Sequence, residues 1–316
     1  MHEELEFYIK GLSRLKRGST KFGQAPHKPI LLLTLIQLIE EGEVVKNEFY
    51  VDALLVAKFQ EVWGNYVDTL HQADFTQPFY YLQNDQYKKK HFWYLKPKAG
   101  YSINSHIKSV FTLSDVLEYG YLDPSLFQLL QDPTKREFLK SRLVNQYFPN
   151  KGLNYQTGVT SYINQIESEI LSEPIEPYKR IITTKEDEVF VRNGIFKRVI
   201  PRIYESQCSF TGMKLVSMHG YSLIDACHII PFSISQNDKV DNGIALCPNM
   251  HRAFDRGLVS LDQDYKILVS DHFEENTENT YSIKKLKGKK AIIPNTTKYH
   301  PSRENLEWHR SNIFKS

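Results

Sequence analysis

Apolar positions in the first half of the chain alternate between helical and extended spacing. Ile30-Leu31-Leu32-Leu33 follows Pro29 and the run stops at Gly42, which predicts a buried helix over residues 30–41 with Pro29 as its first residue. Leu54, Leu55, Phe59 and Val62 fall near helical spacing and predict a second helix over 51–63. Two short aromatic-rich runs follow, Pro78-Phe79-Tyr80-Tyr81-Leu82 and Phe92-Trp93-Tyr94-Leu95, separated by polar residues, so they are expected to pair as a hairpin. Helical patterns return at 113–119, 124–130 and 133–147, and no internal repeat is present.

A polar interval with Gly152, Gly158, Pro174 and Pro177 mixes charge and proline without a sustained apolar period. The expected organisation is a domain over 1–150, a linker over 151–177 with the boundary near 175, and a second domain over 178–316. In that second domain Val189, Phe190, Ile195, Phe196, Val199 and Ile203 supply the apolar face of a helix over 186–206. Strands are expected at 222–229, at 258–262 and at 265–269. A last helix starts after Pro301 and is expected to dock through Trp308. The class is α+β: a mixed helix-and-hairpin domain followed by a smaller strand-and-helix domain.

The length of 316 residues exceeds one typical domain, and 41% hydrophobic with 13% aromatic residues lets each half build its own core. A formal charge of +3 is compatible with a nucleic-acid partner only if the basic residues cluster. Two clusters exist, Lys88-Lys89-Lys90-His91 and the lysine-rich run 284–290, and each reads equally well as phosphate contacts or as a solvated turn. No apolar run reaches the length of a membrane span and the start lacks the order of a signal peptide, so a cytoplasmic protein is expected. Three cysteines exclude a paired disulfide framework. Thr211 and Met250 stand where second members of Cys-x-x-Cys pairs would be, so no structural four-cysteine zinc is expected, and Cys208, Cys227 and Cys247 read as buried core residues.

The chemistry concentrates between residues 204 and 262. Asp225-Ala226-Cys227-His228-Ile229-Ile230-Pro231 ends an apolar run on a histidine, Asn242 opens a second apolar run, and His251 and Asp255 sit four apart on one face of an expected helix. A neutral imidazole can take a proton from water, an amide can hold that ring, and an imidazole with a carboxylate can grip a divalent ion. With Cys208-Ser209-Phe210-Thr211-Gly212 before it and Phe254-Asp255-Arg256-Gly257-Leu258-Val259 at its close, the segment resembles the HNH endonuclease family, whose fold is a ββα-metal unit. The resemblance implies His228 as general base, Asn242 orienting its ring, and His251 and Asp225 as leading metal ligands. Asp255 matches the final helical ligand position or else fixes Arg252 or Arg256. Many members carry an acidic or imidazole ligand immediately before the base, where this chain has Cys227; Asp225 shares its strand face and can approach the same ion. Mg²⁺ or Mn²⁺ is favoured, with Zn²⁺ or Ni²⁺ admitted by the imidazole.

Ala25-Pro26-His27-Lys28-Pro29-Ile30-Leu31-Leu32-Leu33 and the stretch from Asp74 to Asp85 resemble the sulfur-binding domain of modification-dependent restriction endonucleases, over roughly residues 5–150. That family binds phosphorothioate DNA, which implies His27 and Lys28 as the basic loop and Pro78 with Phe79 as an apolar wall. Gln77 stands where the family commonly has an aromatic residue, making one wall polar. The plainer readings are a helix entry for His27 and Lys28, core positions for Trp63 and Trp93, and turn residues at Asp74 and Asp85. Together the two resemblances imply a metal-dependent, type IV-like DNA endonuclease acting on phosphorothioate-modified double-stranded DNA. The alternatives are a nuclease reading an unmodified or base-modified sequence, or a DNA-binding regulator without turnover, the latter motivated by Cys227. Because one active site cuts one strand, a double-strand break implies either a dimer or sequential nicks, and a homodimer is favoured.

Overall fold

The computed structural model describes residues 2–151, 161–173, 184–215, 222–276 and 278–315. The chain divides into two units, Met1–Gln165 with Glu176–Arg192 and Ile166–Ile175 with Asn193–Ser316. Parts of the expected linker, residues 152–160 and 174–177, including Gly152, Gly158, Pro174 and Pro177, lie outside the described residues. Between them Tyr162–Ile170 forms a helix with Ile163, Ile166 and Ile170 buried.

At the centre of the first unit is the helix His27–Glu40, buried from Pro29 through Ile39 because its sequence is apolar on every face. Against it pack the helices Ala53–Tyr66, Thr76–Tyr81, Pro124–Gln131 and Pro133–Tyr147. Their starts are set locally. Asp52 accepts from Leu55 N at 2.9 Å, and Asp123 and Asp132 each cap a helix whose first residue is proline, where the missing N–H leaves no intrahelical bond unmade.

The aromatic hairpin expected from 78–82 and 92–95 does not form. Thr76–Tyr81 is a helix: Asp74 Oδ1 accepts from Thr76 N at 3.0 Å and Gln77 N at 3.2 Å, and Pro78 falls in the first turn, where an N–H has no intrahelical acceptor. Trp93–Pro97 instead pairs antiparallel with Leu117–Leu122, so the helix expected over 113–119 ends at Val116. Gly120 makes this pairing possible, since a Cβ there would meet Trp93 Cζ2 at 2.2 Å. Trp93 Nε1 donates to Phe79 O at 2.8 Å, and Trp63 and Trp93 are both buried. The lysine run at 88–90 is partly internal, since Lys90 Nζ lies 2.9 Å from Asp123 and 2.8 Å from Tyr8 Oη.

In the second unit an antiparallel ribbon joins Asp225–His228 to Gly243–Leu246 in the register Asp225↔Leu246 to His228↔Gly243, followed by the helix Pro248–Asp255. Gly243 is required by close packing: a Cβ there would meet Ile200 Cδ1 at 2.3 Å, on the helix Lys185–Ile203. A second hairpin, Val259–Leu261 with Ile267–Val269, carries the C-terminal helix Arg303–Asn312. That helix docks through Leu306 and His309 rather than through Trp308, which is only half-buried. The His309 ring stacks on Phe254 at 3.7 Å, accepts from Ser260 Oγ at Nδ1 (2.9 Å) and donates from Nε2 to Phe254 O (3.1 Å). Among the described residues no helix is long and apolar enough to cross a membrane.

Candidate functional site

The pleat of the strand Asp225–His228 turns Asp225 and Cys227 to one face and His228 to the other. The helix Pro248–Asp255 brings two more groups to the first face, since residues four apart lie one above the other on a helix. Asp225 Oδ2 lies 3.2 Å from His251 Nδ1, whereas Asp255 Oδ2 lies 3.5 Å from Nε2, on the other edge of the ring. Cys227 Sγ is 3.7 Å from Asp255 Oδ1. One donor atom from each of Cys227, His251 and Asp255 falls within 4.8 Å of the other two, the one group of this kind among the described residues. Burial and the Asp255 carboxylate push the Cys227 thiol up, so it is protonated and donates to Asp255.

His228 on the opposite face lies flat on Phe196, with ring centroids 3.9 Å apart and planes 7° apart. Its Nε2 is buried without a hydrogen-bond partner, which leaves Nδ1 as the nitrogen open to a water. Burial lowers the His228 imidazole to about 4, so it is neutral at pH 7 and has a lone pair to offer. The contact expected between Asn242 and this ring is absent. Asn242 is fully buried, accepts from Ile230 N at 2.9 Å, and donates to Ile230 O at 3.0 Å and Asn237 O at 2.9 Å. A primary amide offers two donor hydrogens and an acceptor oxygen with two lone pairs, and the backbone after His228 takes both hydrogens and one of the lone pairs. Asn242 thus ties down the turn that follows the strand.

Residues 208–262 match the HNH endonuclease family. This segment is an HNH endonuclease domain. Such a domain implies a divalent metal ion, and the Cys227–His251–Asp255 cluster is chemically able to hold the ion. No curated protein matches the chain. Among solved structures, the chain is similar to the modification-dependent TagI restriction endonuclease at 21% identity and TM-score 0.26, over 36% of this chain and 35% of that one. It thus spans about a third of that protein. It is also similar to the type IV phosphorothioation-dependent restriction endonuclease ScoMcrA at 11% identity and TM-score 0.34, over 78% of this chain and 94% of that one. Both TM-scores are too low to assign a shared fold.

In the HNH domain Cys208 and Cys247 are both buried, and Thr211 Oγ1 stands 4.0 Å from Cys247 Sγ. The third cysteine, Cys227, belongs to the donor cluster, a place that reading the residue as core did not anticipate. Its signal in the sequence is position: it stands immediately before His228.

The first unit contains a cavity of about 590 Å³ lined by Lys16, Arg17, His27, Lys28, Gln77 and Pro78, with Asp74 and Tyr81 on its wall. Four of the five residues expected to bind DNA thus meet there. Phe79 does not: it is fully buried against Trp93, so the apolar wall is Pro78 and Tyr81. The basic loop also differs from expectation. Lys28 is nearly buried and its ammonium is paired with Asp85, which also accepts from Lys16 N at 2.7 Å. His27 donates from Nε2 to Gln72 O at 2.9 Å, packs edge-on to Trp63 and is lowered by burial, so it carries no charge at pH 7. Positive charge without an acidic partner among the described residues comes instead from Lys16 and from Arg17, whose guanidinium lies 4.8 Å from the Tyr147 ring centre, in the segment Arg14-Leu15-Lys16-Arg17-Gly18 that sequence reading passed over. Gln77 Nε2 is held by Asp74 Oδ2 at 3.0 Å.

Proposed function

We propose that the protein is a DNA endonuclease of the modification-dependent restriction type, in which the first unit selects the DNA and the HNH domain hydrolyses a phosphodiester. The observation that carries the reading is a neutral strand histidine, His228, one residue from a Cys–His–Asp donor cluster within an HNH domain. His228 takes the proton of the attacking water at its open nitrogen, Asn242 holds the backbone that carries it, and Phe196 keeps the ring plane fixed. A divalent ion at the cluster supplies electrostatic stabilisation of the charge that develops on the phosphate and the leaving oxygen. The ordinary choice for such chemistry is Mg²⁺ or Mn²⁺. A double-strand break takes either a second active site or sequential nicks, and the homodimer is the favoured working species.

For the modification, the favoured reading is a phosphorothioate, whose large, weakly hydrated sulfur rests on Pro78 and Tyr81 while Lys16 and Arg17 meet neighbouring phosphates. One observation favours a second reading. A cavity of about 590 Å³ is the size of a small-molecule pocket rather than of one atom, and a modified base turned out of the duplex fits such a volume, with Gln77 offering a polar edge. Matched plasmids that are unmodified, phosphorothioated, or methylated and hydroxymethylated at cytosine decide between them when offered with Mg²⁺ and with Mn²⁺. Cutting confined to phosphorothioate DNA supports the first reading and cutting confined to a base-modified plasmid the second. Equal cutting of all removes modification dependence. No cutting with any divalent ion leaves a DNA-binding regulator.

A further inference from the structure

The two acidic residues of the HNH cluster are not equivalent. Asp225 contacts Nδ1 of His251 and Asp255 contacts Nε2, on opposite edges of the ring. One ion can use only one ring nitrogen, and the other nitrogen of a metal-bound histidine ordinarily donates to a carboxylate. Hence only one of Asp225 and Asp255 shares an ion with His251 in this arrangement, and the position of Cys227 selects which. Its sulfur is 3.7 Å from Asp255 Oδ1, and sulfur, imidazole and Asp255 carboxylate lie within 4.8 Å of one another.

Resting on the HNH reading above, we infer that the ion is held by the thiolate of Cys227 together with His251 and Asp255, that Asp225 holds His251 from outside, and that the site takes Zn²⁺ or Co²⁺ in preference to Mg²⁺.

The spacing suits such an ion. With metal–sulfur, metal–nitrogen and metal–oxygen bonds of about 2.3, 2.0 and 2.1 Å, the edges of a tetrahedron are about 3.6 Å for S–O and about 3.4 Å for N–O. Cys227 Sγ is 3.7 Å from one oxygen of Asp255 and His251 Nε2 is 3.5 Å from the other, so the carboxylate has to turn to present a single oxygen to an ion shared by all three residues, whose donor atoms lie within 4.8 Å of one another. Exposure is graded in the right sense. Cys227 is fully buried beneath the site while the Asp255 side chain is 58% exposed, so three protein groups close one side and the fourth place opens to water or phosphate. Binding breaks the Cys227 S–H bond, releases that proton to solvent and forms a sulfur–metal bond without change of oxidation state. Thiolate is a soft ligand that suits Zn²⁺, whereas Mg²⁺ requires near-octahedral oxygen and sheds its waters reluctantly.

The test is Co²⁺ and Zn²⁺ binding to the full chain. Expected are a thiolate-to-cobalt charge-transfer band in the near ultraviolet, and in the X-ray absorption of the Zn²⁺-loaded protein one sulfur at about 2.3 Å with lighter scatterers nearer. Cys227→Ser loses both and binds Zn²⁺ at least about tenfold more weakly, while Asp225→Asn keeps the band and weakens binding about 10- to 100-fold. Absence of sulfur in the parent spectrum, or a band that persists in Cys227→Ser, overturns the inference. Should Cys227→Ser fail to fold, Cys208→Ser/Cys247→Ser retains a single thiol: sulfur ligation there supports the assignment and its loss overturns it. A protein that binds Co²⁺ through nitrogen and oxygen alone and still cuts DNA overturns the inference and spares the nuclease reading. If His251→Ala leaves both metal binding and cutting unchanged, the nuclease site itself is wrong.

Discussion

The cavity of the first unit and the donor cluster of the second use charge in opposite ways. Around the cavity the charged groups nearest the motif are already neutralised, Lys28 by Asp85 and His27 by burial, and the cations without an acidic partner among the described residues are Lys16 and Arg17. At the cluster the acidic groups stay open, with Asp225 and Asp255 about half exposed and no lysine or arginine within ion-pair distance among the described residues. A recognition surface of this kind is built on a rigid internal ion pair. A metal site has to leave its anions unpaired, because the ion it awaits is their partner.

The largest effect separating the two is expected at His228. His228→Ala should lower cleavage by about 10²- to 10⁴-fold with unchanged DNA affinity and thermal midpoint, as loss of a general base does. Single-turnover cleavage with a binding isotherm checks this; a variant within a few-fold of the parent places the base elsewhere. Lys28→Ala should do the reverse. It leaves Asp85, only 2% exposed, without its counter-charge and should destabilise the first unit by about 3–5 kcal/mol, read as a lower denaturant midpoint. Lys28→Met with Asp85→Leu should recover most of that loss. If Lys28→Ala instead folds normally and only flattens the salt dependence of binding, the lysine is a phosphate contact and the contrast drawn here collapses.

The third effect is a pH dependence to which His309 of the second unit contributes. Burial lowers His309 from an ordinary 6.5 to about 4. The unfolded chain therefore binds a proton in a window where the folded one does not, so stability is full above about 6.5, falls as pH drops toward 4, and levels off below. The size is on the order of 3 kcal/mol. His309→Gln should reduce that limb in a denaturation series across pH 4–7 and leave the part that His228, also lowered to about 4 by burial, contributes. A parent whose stability does not change over this range would show that His309 is not held neutral. The smallest effect belongs to the mouth of the cavity. Arg17→Ala should weaken DNA binding a few-fold and reduce the slope of log K against log salt by about 1, with cleavage of bound DNA unchanged. An unaltered slope shifts the DNA surface to the lysines at 284–290.

Elements whose determinants are local were legible. The helices after Asp123 and Asp132 follow from aspartate caps and a proline at the first position, and Pro133–Tyr147 is read from sequence to the residue. The aromatic run at 78–82 was misread because period and composition suit either a short helix or a strand. What excludes the strand is distant: Trp93–Pro97 takes Leu117–Leu122 as partner, and Gly120 clears room for the Trp93 indole. Likewise, burial of Leu306 and His309 rather than Trp308 depends on Phe254 and Ser260, about fifty residues earlier.

The order of His228, Asn242, His251 and Asp255, and the helical face shared by the last two, were determined by the sequence alone, since residues within a few turns of one another have their relative directions set by backbone geometry. Tertiary structure decided what each group touches. It assigned Asp225 to the far nitrogen of His251, put Cys227 among the donors, spent the amide of Asn242 on the Ile230 backbone, and committed Lys28 to an aspartate 57 positions away. Spacing along a chain fixes direction over a few residues, whereas partner choice depends on which elements pack together, and that is a property of the whole core.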